Sequence, residues 1–259
     1  MRTRTPLDRF NLDIKSRDRV VEFGPGHNPT YRSNVLVEKY LDTNYHRSGD
    51  AKLYPHQVYY KEDAECTTFK DKEFDYSICI QVAEHAEHPD KFLNEQMRVA
   101  KRGYLETPSL IGEFLFPHES HKWVILDIDN KLIFYEKSKL PGNYLNNNYC
   151  ELFLNYLPFQ SIPYRLLWLT EGDLMINRYE WKDSIDYIIN PEDEYYKSFF
   201  IKPWDRAMTE KIFPKRTFLQ ELRRCNKGVC HMVANELREK FNRHTPVPVT
   251  PDKIVNLEK

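Results

Sequence analysis

Short apolar runs punctuate the first third of the chain, and each stops at a glycine or a polar residue. Val20, Val21 and Phe23 run into Gly24-Pro25-Gly26, and Val35-Leu36-Val37 stops at Glu38. Gln57-Val58-Tyr59-Tyr60 stops at Lys61-Glu62-Asp63-Ala64, and the run from Phe74 stops at Gln81. Such runs, bounded by turn residues, predict buried strands. Only about a dozen residues separate the first two, and they include Pro29. That is too little for a full crossover helix, so a turn or irregular loop is expected there. After the fourth run, Pro89 sets φ for a helix, and Phe92, Leu93, Gln96, Met97 and Ala100 form its apolar stripe. Lys101-Arg102-Gly103 closes that helix, with basic residues at the negative dipole end and Gly103 as the left-handed cap. Tyr104 to Thr107 is a further strand, stopped by Pro108. Strands joined by crossovers predict an α/β fold, a Rossmann-like, mostly parallel sheet with flanking helices.

The pattern changes after Pro108. Trp123 to Asp127 and Leu132 to Lys137 flank Ile128-Asp129-Asn130-Lys131, which predicts a hairpin. Residues 138–204 are aromatic and irregular, with PGNYLNNNY as a loop. Phe218, Leu219, Leu222 and Cys225 make a helical stripe that ends near Gly228. Val229, Met232, Val233, Leu237 and Phe241 make another. The stretch PVPVTPDKIVNLEK is expected as a loose extension. The chain thus divides into a Rossmann-like core (residues 1–110), a β-rich aromatic region (111–204) and a helical extension with its tail (205–259).

Composition narrows the classes. With 41% hydrophobic and 30% charged residues and a formal net charge of −1, the chain is neither disordered nor of low complexity. The near-neutral balance makes nucleic acid an unfavoured partner, although residues 205–244 carry ten Lys/Arg against five Asp/Glu. Those charges read first as a solvated helical face. No stretch is long and apolar enough to span a bilayer, and the polar start lacks a signal-peptide core. Five scattered cysteines read as reduced thiols, so a cytoplasmic location is expected; Cys225 and Cys230 lack a second pair at zinc spacing, so no metal is expected. The chain has only eight glycines, which sets Gly24 and Gly26, one residue apart, in relief.

In an open parallel sheet, the carboxyl ends of the strands line the crevice where ligands bind. Here that edge would offer Gly24 and Gly26 for close backbone approach and Glu38 for the two hydroxyls of a ribose. Asp63 would accept from an exocyclic amine, and Glu22 would orient the loop and face an ammonium group. A ribose, an amine-bearing base and a cationic tail describe S-adenosyl-L-methionine better than a dinucleotide. A dehydrogenase fingerprint fails because Pro29 occupies the third glycine position and has no N–H. Gly-Pro-Gly alone is equally consistent with an ordinary tight turn.

VVEFGPGHNP resembles the first motif of class I S-adenosylmethionine-dependent methyltransferases. EDAECTTFKDKEFDYSICIQVAEHAEHPDKFLNEQMRVAKRGYLETPS resembles the third-to-fifth-strand region of the methyltransferase type 11 (ubiquinone-biosynthesis-like) group. The resemblance covers about residues 18–110. It implies a cofactor loop at Gly24 and Gly26 supported by Glu22, a ribose ligand at Glu38, adenine contacts at Asp63 and Ala64, and Gln81 beside the methionine portion. Asn28 departs from the family, standing where a third small residue is common, and Asp42 competes with Glu38 as the ribose ligand. Glu38 is favoured because it ends its apolar run directly.

For the acceptor side, His85 in VAEHAEHP is the candidate base, with pinning of its loop as the structural alternative. His118, His121 and Trp123 in HESHKW are candidate acceptor-site residues, or ordinary loop residues. The aromatic middle region fits a small-molecule or sugar/glycan-precursor acceptor. A non-catalytic partner subunit of the same fold, and an RNA or protein methyltransferase, are the alternatives.

Overall fold

The computed structural model describes residues 1–44, 47, 49–115, 117–140, 151–241 and 244–255. In chain order the strands are β1 (Arg2–Arg4), β2 (Val20–Phe23), β3 (Val35–Val37), β4 (Lys52–Leu53), β5 (Val58–Tyr60), β6 (Tyr76–Ile80) and β7 (Arg102–Pro108). They continue with β8 (Trp123–Ile128), β9 (Lys131–Glu136), β10 (Ile176–Lys182), β11 (Tyr187–Ile189), β12 (Val247–Pro248) and β13 (Ile254–Val255). The helices are α1 (Pro89–Val99), α2 (Leu110–Leu115), α3 (Leu157–Gln160), α4 (Ile162–Glu171), α5 (Glu194–Ile201), α6 (Arg206–Ile212) and α7 (Phe218–Phe241). The chain folds as two units. Met1–Thr107, Arg178–Asp186 and Arg243–Lys259 form the first; Pro108–Asn177 and Tyr187–Asn242 form the second.

The first unit is built on a sheet in the order β1-β10-β7-β6-β2-β3-β5-β13, to which β10 contributes from Arg178 onward. The strands β7, β6, β2, β3, β5 and β13 run parallel, and β1 lies antiparallel to β10. The fold is therefore α/β with a mostly parallel, Rossmann-like sheet. Val20, Val21 and Phe23 are fully buried, as a central parallel strand covered on both faces requires. From β2 the chain moves outward through β3 and β5, then returns to β6 and β7 on the other side. The order reverses between β2 and β6, and the two strands pair directly, Phe23 against Cys79.

Several expectations need correction here. Helix α1 begins at Pro89 as expected, but it ends at Val99 with Ala100 already extended, and Gly103 lies inside β7 opposite Ser77. A Cβ on Gly103 would fall 2.2 Å from Ser77 Oγ and 2.6 Å from its carbonyl oxygen. Glycine is needed there for strand contact, not as a helix cap. The carboxyl-terminal stretch is not loose: β12 pairs with β4, and β13 adds to the edge of the main sheet beside β5. The connection between β2 and β3 is indeed free of helix.

In the second unit, β8 and β9 form the expected hairpin, and β11 adds parallel to β9. Asp129 and Asn130 turn the chain at φ +55° and +60°, the left-handed pair that matches strand twist in a two-residue hairpin. Val124, Leu126, Ile128, Ile133 and Tyr135 pack with Leu110 of α2 and with Phe199 and Phe200 of α5. Residues 138–204 are thus largely regular, holding α3, α4, α5, β10 and β11, while the PGNYLNNNY loop and Cys150 lie outside the described residues. Gly228 does not separate two helices. It is buried within the continuous α7, where it lies against Leu166 and Thr170 of α4. Among the described residues, no helix is long and apolar enough to cross a membrane.

Candidate functional site

The point where the strand order reverses carries two left-handed residues. Gly24 follows β2 at φ +61°, and Gln81 follows β6 at φ +57°. A Cβ on Gly24 would stand 2.4 Å from Val82 Cγ2, so the β2 turn can lie against the β6 turn only as glycine. Gln81 has no such dispensation, and a glutamine at positive φ stores strain of about 1 kcal/mol or more. It is held there by its N–H, which donates to the Glu106 carbonyl at 2.9 Å, and by its amide, 3.3 Å from Glu106 Oε1. The Gly24 N–H donates to the Val37 carbonyl at 2.9 Å, and Gly26 is again left-handed at φ +56°.

Beneath this turn Glu22 is almost wholly buried. Its carboxylate accepts from the Thr30 N–H (2.8 Å), the Thr30 hydroxyl (3.0 Å) and the Ser33 hydroxyl (2.6 Å). Burial pushes its pKa up, and the Ser33 and Thr30 hydrogen bonds oppose that rise. Glu22 thus closes the 24–33 loop from below. On the outer side Arg9 donates to the Asn28 carbonyl (2.8 Å) and side chain (2.7 Å), which fixes the position where a third glycine was absent. Tyr59, fully buried, donates toward the carbonyls of Lys52 (2.9 Å) and Gly26 (3.2 Å) and anchors the turn to the sheet.

The carboxylates of the next two strand ends are less committed. Glu38 follows β3 directly; its N–H donates to the Tyr60 carbonyl and its Oε1 accepts from the Tyr40 N–H at 3.1 Å. Arg47 stands 3.9 Å from its other oxygen. Arg47 itself is held by the carbonyls of Tyr40 and Leu41 and by the Asn44 side chain. Asp42, the competitor, is highly exposed and paired with Lys61. Asp63 accepts from the Glu65 N–H (3.0 Å) and from Lys39 Nζ (2.7 Å), and that contact raises the Lys39 pKa. Ala64 sits in the turn closed by the Cys66 N–H on the Asp63 carbonyl. His85 is half-buried on a single 3₁₀ turn after β6, its N–H bonded to the Val82 carbonyl.

In the second unit the structure brings together residues that the sequence separates. His121 Nδ1 lies 2.6 Å from Glu113 Oε2, and the His118 and His121 rings stack at 5.0 Å. Lys137 binds the other Glu113 oxygen and donates to the His118 carbonyl at 2.8 Å, while Ser120 Oγ lies 2.8 Å from His118 Nδ1. Burial pushes the Glu113 carboxyl up, but His121 and Lys137 outweigh it and hold the group below its ordinary range. Trp123 opens β8 and packs edge-on against Phe134. Sequence reasoning missed Glu113 and Lys137. The apolar run Leu110-Ile111 beside Glu113 was the one available signal that this carboxylate is buried.

Residues 36–105 match the family model described as a methyltransferase domain, the type 11 group. No curated protein matches the chain. Among solved structures, the chain is similar to an S-adenosylmethionine-dependent methyltransferase of Thermotoga maritima at 21% identity. That match covers 39% of this chain and 48% of the other, with a TM-score of 0.28. It is also similar to an S-adenosylmethionine-dependent methyltransferase of Methanosarcina mazei, at 13% identity over 39% and 57% of the two chains, with a TM-score of 0.29. The chain therefore spans about half the length of these two structures. S-Adenosyl-L-methionine is the cofactor that the domain match implies.

Proposed function

We propose that the chain, whose residues 36–105 match the methyltransferase domain model of the type 11 group, transfers a methyl group from S-adenosyl-L-methionine to a small-molecule or sugar-type acceptor. The observation that carries the reading is the pair of left-handed turns, Gly24 and Gln81, on adjacent parallel strands where the sheet order reverses. That is the crevice where open α/β sheets bind nucleotides.

The residues there fit the cofactor. Gly24 and Gly26 leave bare backbone for close approach, and Glu22 holds the loop with its oxygens committed to Thr30 and Ser33, so it supports the loop and is not the ammonium ligand. Glu38 keeps acceptor capacity for a ribose diol, since a carboxylate offers about four lone-pair sites. Asp63 and Ala64 take the adenine edge; the half-exposed Lys39–Asp63 pair is worth about 1 kcal/mol or less, so an amine displaces it at small cost. Gln81 faces the methionine portion. Bound there, the cofactor supplies an electrophilic methyl on a sulfonium. The protein's task is to align an acceptor in line with that methyl and to exclude water. A hydroxyl acceptor also needs a base, for which His85 is the candidate. Glu113 fixes the tautomer of His121 by accepting at Nδ1. Trp123 and His118 are assigned to the acceptor region.

Calorimetric titration with S-adenosylhomocysteine tests the reading. Binding is expected for the wild type and at least a tenfold loss for Glu38→Ala, with labelled methyl transfer followed over a panel of sugars and small phenols. Absence of binding by the wild type would overturn the assignment.

A further inference from the structure

S-Adenosyl-L-methionine carries an ammonium on its methionine portion, and no group assigned to the crevice is committed to it. Glu22 has its oxygens on Thr30 and Ser33. Glu38 and Asp63 follow β3 and β5, on the side where the ribose and the base are assigned. On the other side, next in the chain to the Val82 that meets the Gly24 turn, stands Gln81, exposed and at φ +57°. Glycine adopts that conformation without strain, so a glutamine there points to a use for its side chain.

Gln81 is held by Glu106, near the end of β7. The two strands are in register at Ile80 and Glu106. The Gln81 N–H continues that ladder one residue beyond β6, donating to the Glu106 carbonyl at 2.9 Å. The Gln81 side chain meets the Glu106 carboxylate as well, Nε2 to Oε1 at 3.3 Å. A carboxylate only accepts, so the NH₂ end of the amide is the end that turns to it, and the amide oxygen is directed away. The second Glu106 oxygen accepts from the Tyr104 hydroxyl, two residues back on the same face of β7. Tyr104 is fully buried, and burial pushes its phenol far above its ordinary value, so it remains a donor. Tyr104 thus fixes Glu106, and Glu106 fixes both the backbone and the amide of Gln81.

We propose that Glu106 is a positioning residue for the cofactor: it holds Gln81 with the amide oxygen outward, as the acceptor for the ammonium of the methionine portion. The inference rests on the crevice being the S-adenosyl-L-methionine site. Two features of the pair suit a cation. The outward amide oxygen offers two lone pairs. The Glu106 charge behind the amide polarises it, which strengthens the bond its oxygen accepts. The strain at Gln81 has a reason in these terms, since glycine would relax the turn and lose the acceptor.

Calorimetry with two ligands tests this: S-adenosylhomocysteine, which carries the ammonium, and 5′-methylthioadenosine, which lacks the amino-acid portion. Glu106→Gln keeps the size of the side chain but lets its own NH₂ face Gln81, so the direction of the Gln81 amide is no longer imposed. It is expected to weaken S-adenosylhomocysteine binding about tenfold, as the loss of a hydrogen bond to a charged group does, and to leave methylthioadenosine within about twofold. Gln81→Gly should bring the same loss in a protein at least as resistant to urea as the wild type, because glycine relieves the left-handed strain. Adding Glu106→Gln to Gln81→Gly should change affinity by less than about twofold, the mark of a residue that acts through another. Equal losses for both ligands, unchanged S-adenosylhomocysteine binding by Glu106→Gln, or additive losses in the double variant would each overturn the positioning role. A wild type that binds neither ligand instead overturns the crevice as a cofactor site, and the proposal with it.

Discussion

Replacing Gly24 by alanine separates two costs that are usually merged. The first is conformational: at φ +61° an alanine pays about 1 kcal/mol that glycine does not. The second is steric, because the new Cβ would stand 2.4 Å from Val82 Cγ2, 3.4 Å from Cγ1 and 3.5 Å from Cβ. Forcing a methyl into such a contact costs about 1–3 kcal/mol. Gly24→Ala should therefore destabilise by about 2–4 kcal/mol, a large part of a total of about 5–15 kcal/mol. Gly26 is the internal control. Its φ is +56°, but the nearest atom to a new Cβ is Arg47 Cβ at 3.6 Å, so Gly26→Ala carries only the first cost, about 1 kcal/mol. Urea unfolding followed by circular dichroism gives both values by linear extrapolation. The cycle is completed with Val82→Ala: in that background Gly24→Ala should cost only about 1 kcal/mol, leaving a coupling of about 1–3 kcal/mol. If Gly24→Ala costs no more than Gly26→Ala, or if Val82→Ala leaves its cost unchanged, then the contact between the two strand-end turns is not what demands glycine.

Gly103→Ala brings a Cβ within 2.6 Å of the Ser77 backbone carbonyl, an atom that cannot swing aside. It should cost about 3 kcal/mol or more in the same unfolding experiment, whereas a cost under about 1 kcal/mol would show that β6 and β7 can spread. Glu113→Gln should destabilise by about 1–3 kcal/mol at neutral pH by removing the charge that the half-buried Lys137 pairs with. Because the folded Glu113 titrates below its ordinary value of 4.5, its contribution is complete above that pH and fades as the pH falls through the folded value. The difference between wild type and variant should shrink on acidification; a difference that is constant down to pH 3 would refute the sign.

Much of the first unit was legible because its strands are buried on both faces and so appear as unbroken apolar runs with polar stops. Val20 to Phe23, Val35 to Val37 and Tyr76 to Ile80 all stand where the pattern put them. The strand-end residues Gly24, Glu38, Asp63 and Gln81 follow from the same rule. What stayed hidden depends on partners distant in the chain. The pairing of Lys137 with Glu113 spans 24 positions and leaves no periodic trace. The tail reads as loose because β12 and β13 have two residues each, too few to show alternation, and only pairing with β4 and β5 makes them strands. Gly103 resembled a cap because glycine after two basic residues suits a helix end, yet the Ser77 carbonyl imposed the requirement. The stripes of α7 were visible, but periodicity states only that an apolar side exists, not whether it faces inward.

The placement of β13 has a consequence for how the chain is made. Its bond network reaches back across 198 positions, from Lys253 to the Pro55 carbonyl, and its strand covers the outer edge of β5. At ribosomal rates of about 5–20 residues per second, β5 leaves the tunnel roughly 10–40 s before the strand that covers it exists. Throughout that interval Val58 to Tyr60 present an open ladder of N–H and C=O groups to neighbouring nascent chains. The second unit, most of whose sequence emerges within that window, can collapse before the sheet is complete. Synthesis therefore leaves the nucleotide-type sheet unfinished until its last strand arrives.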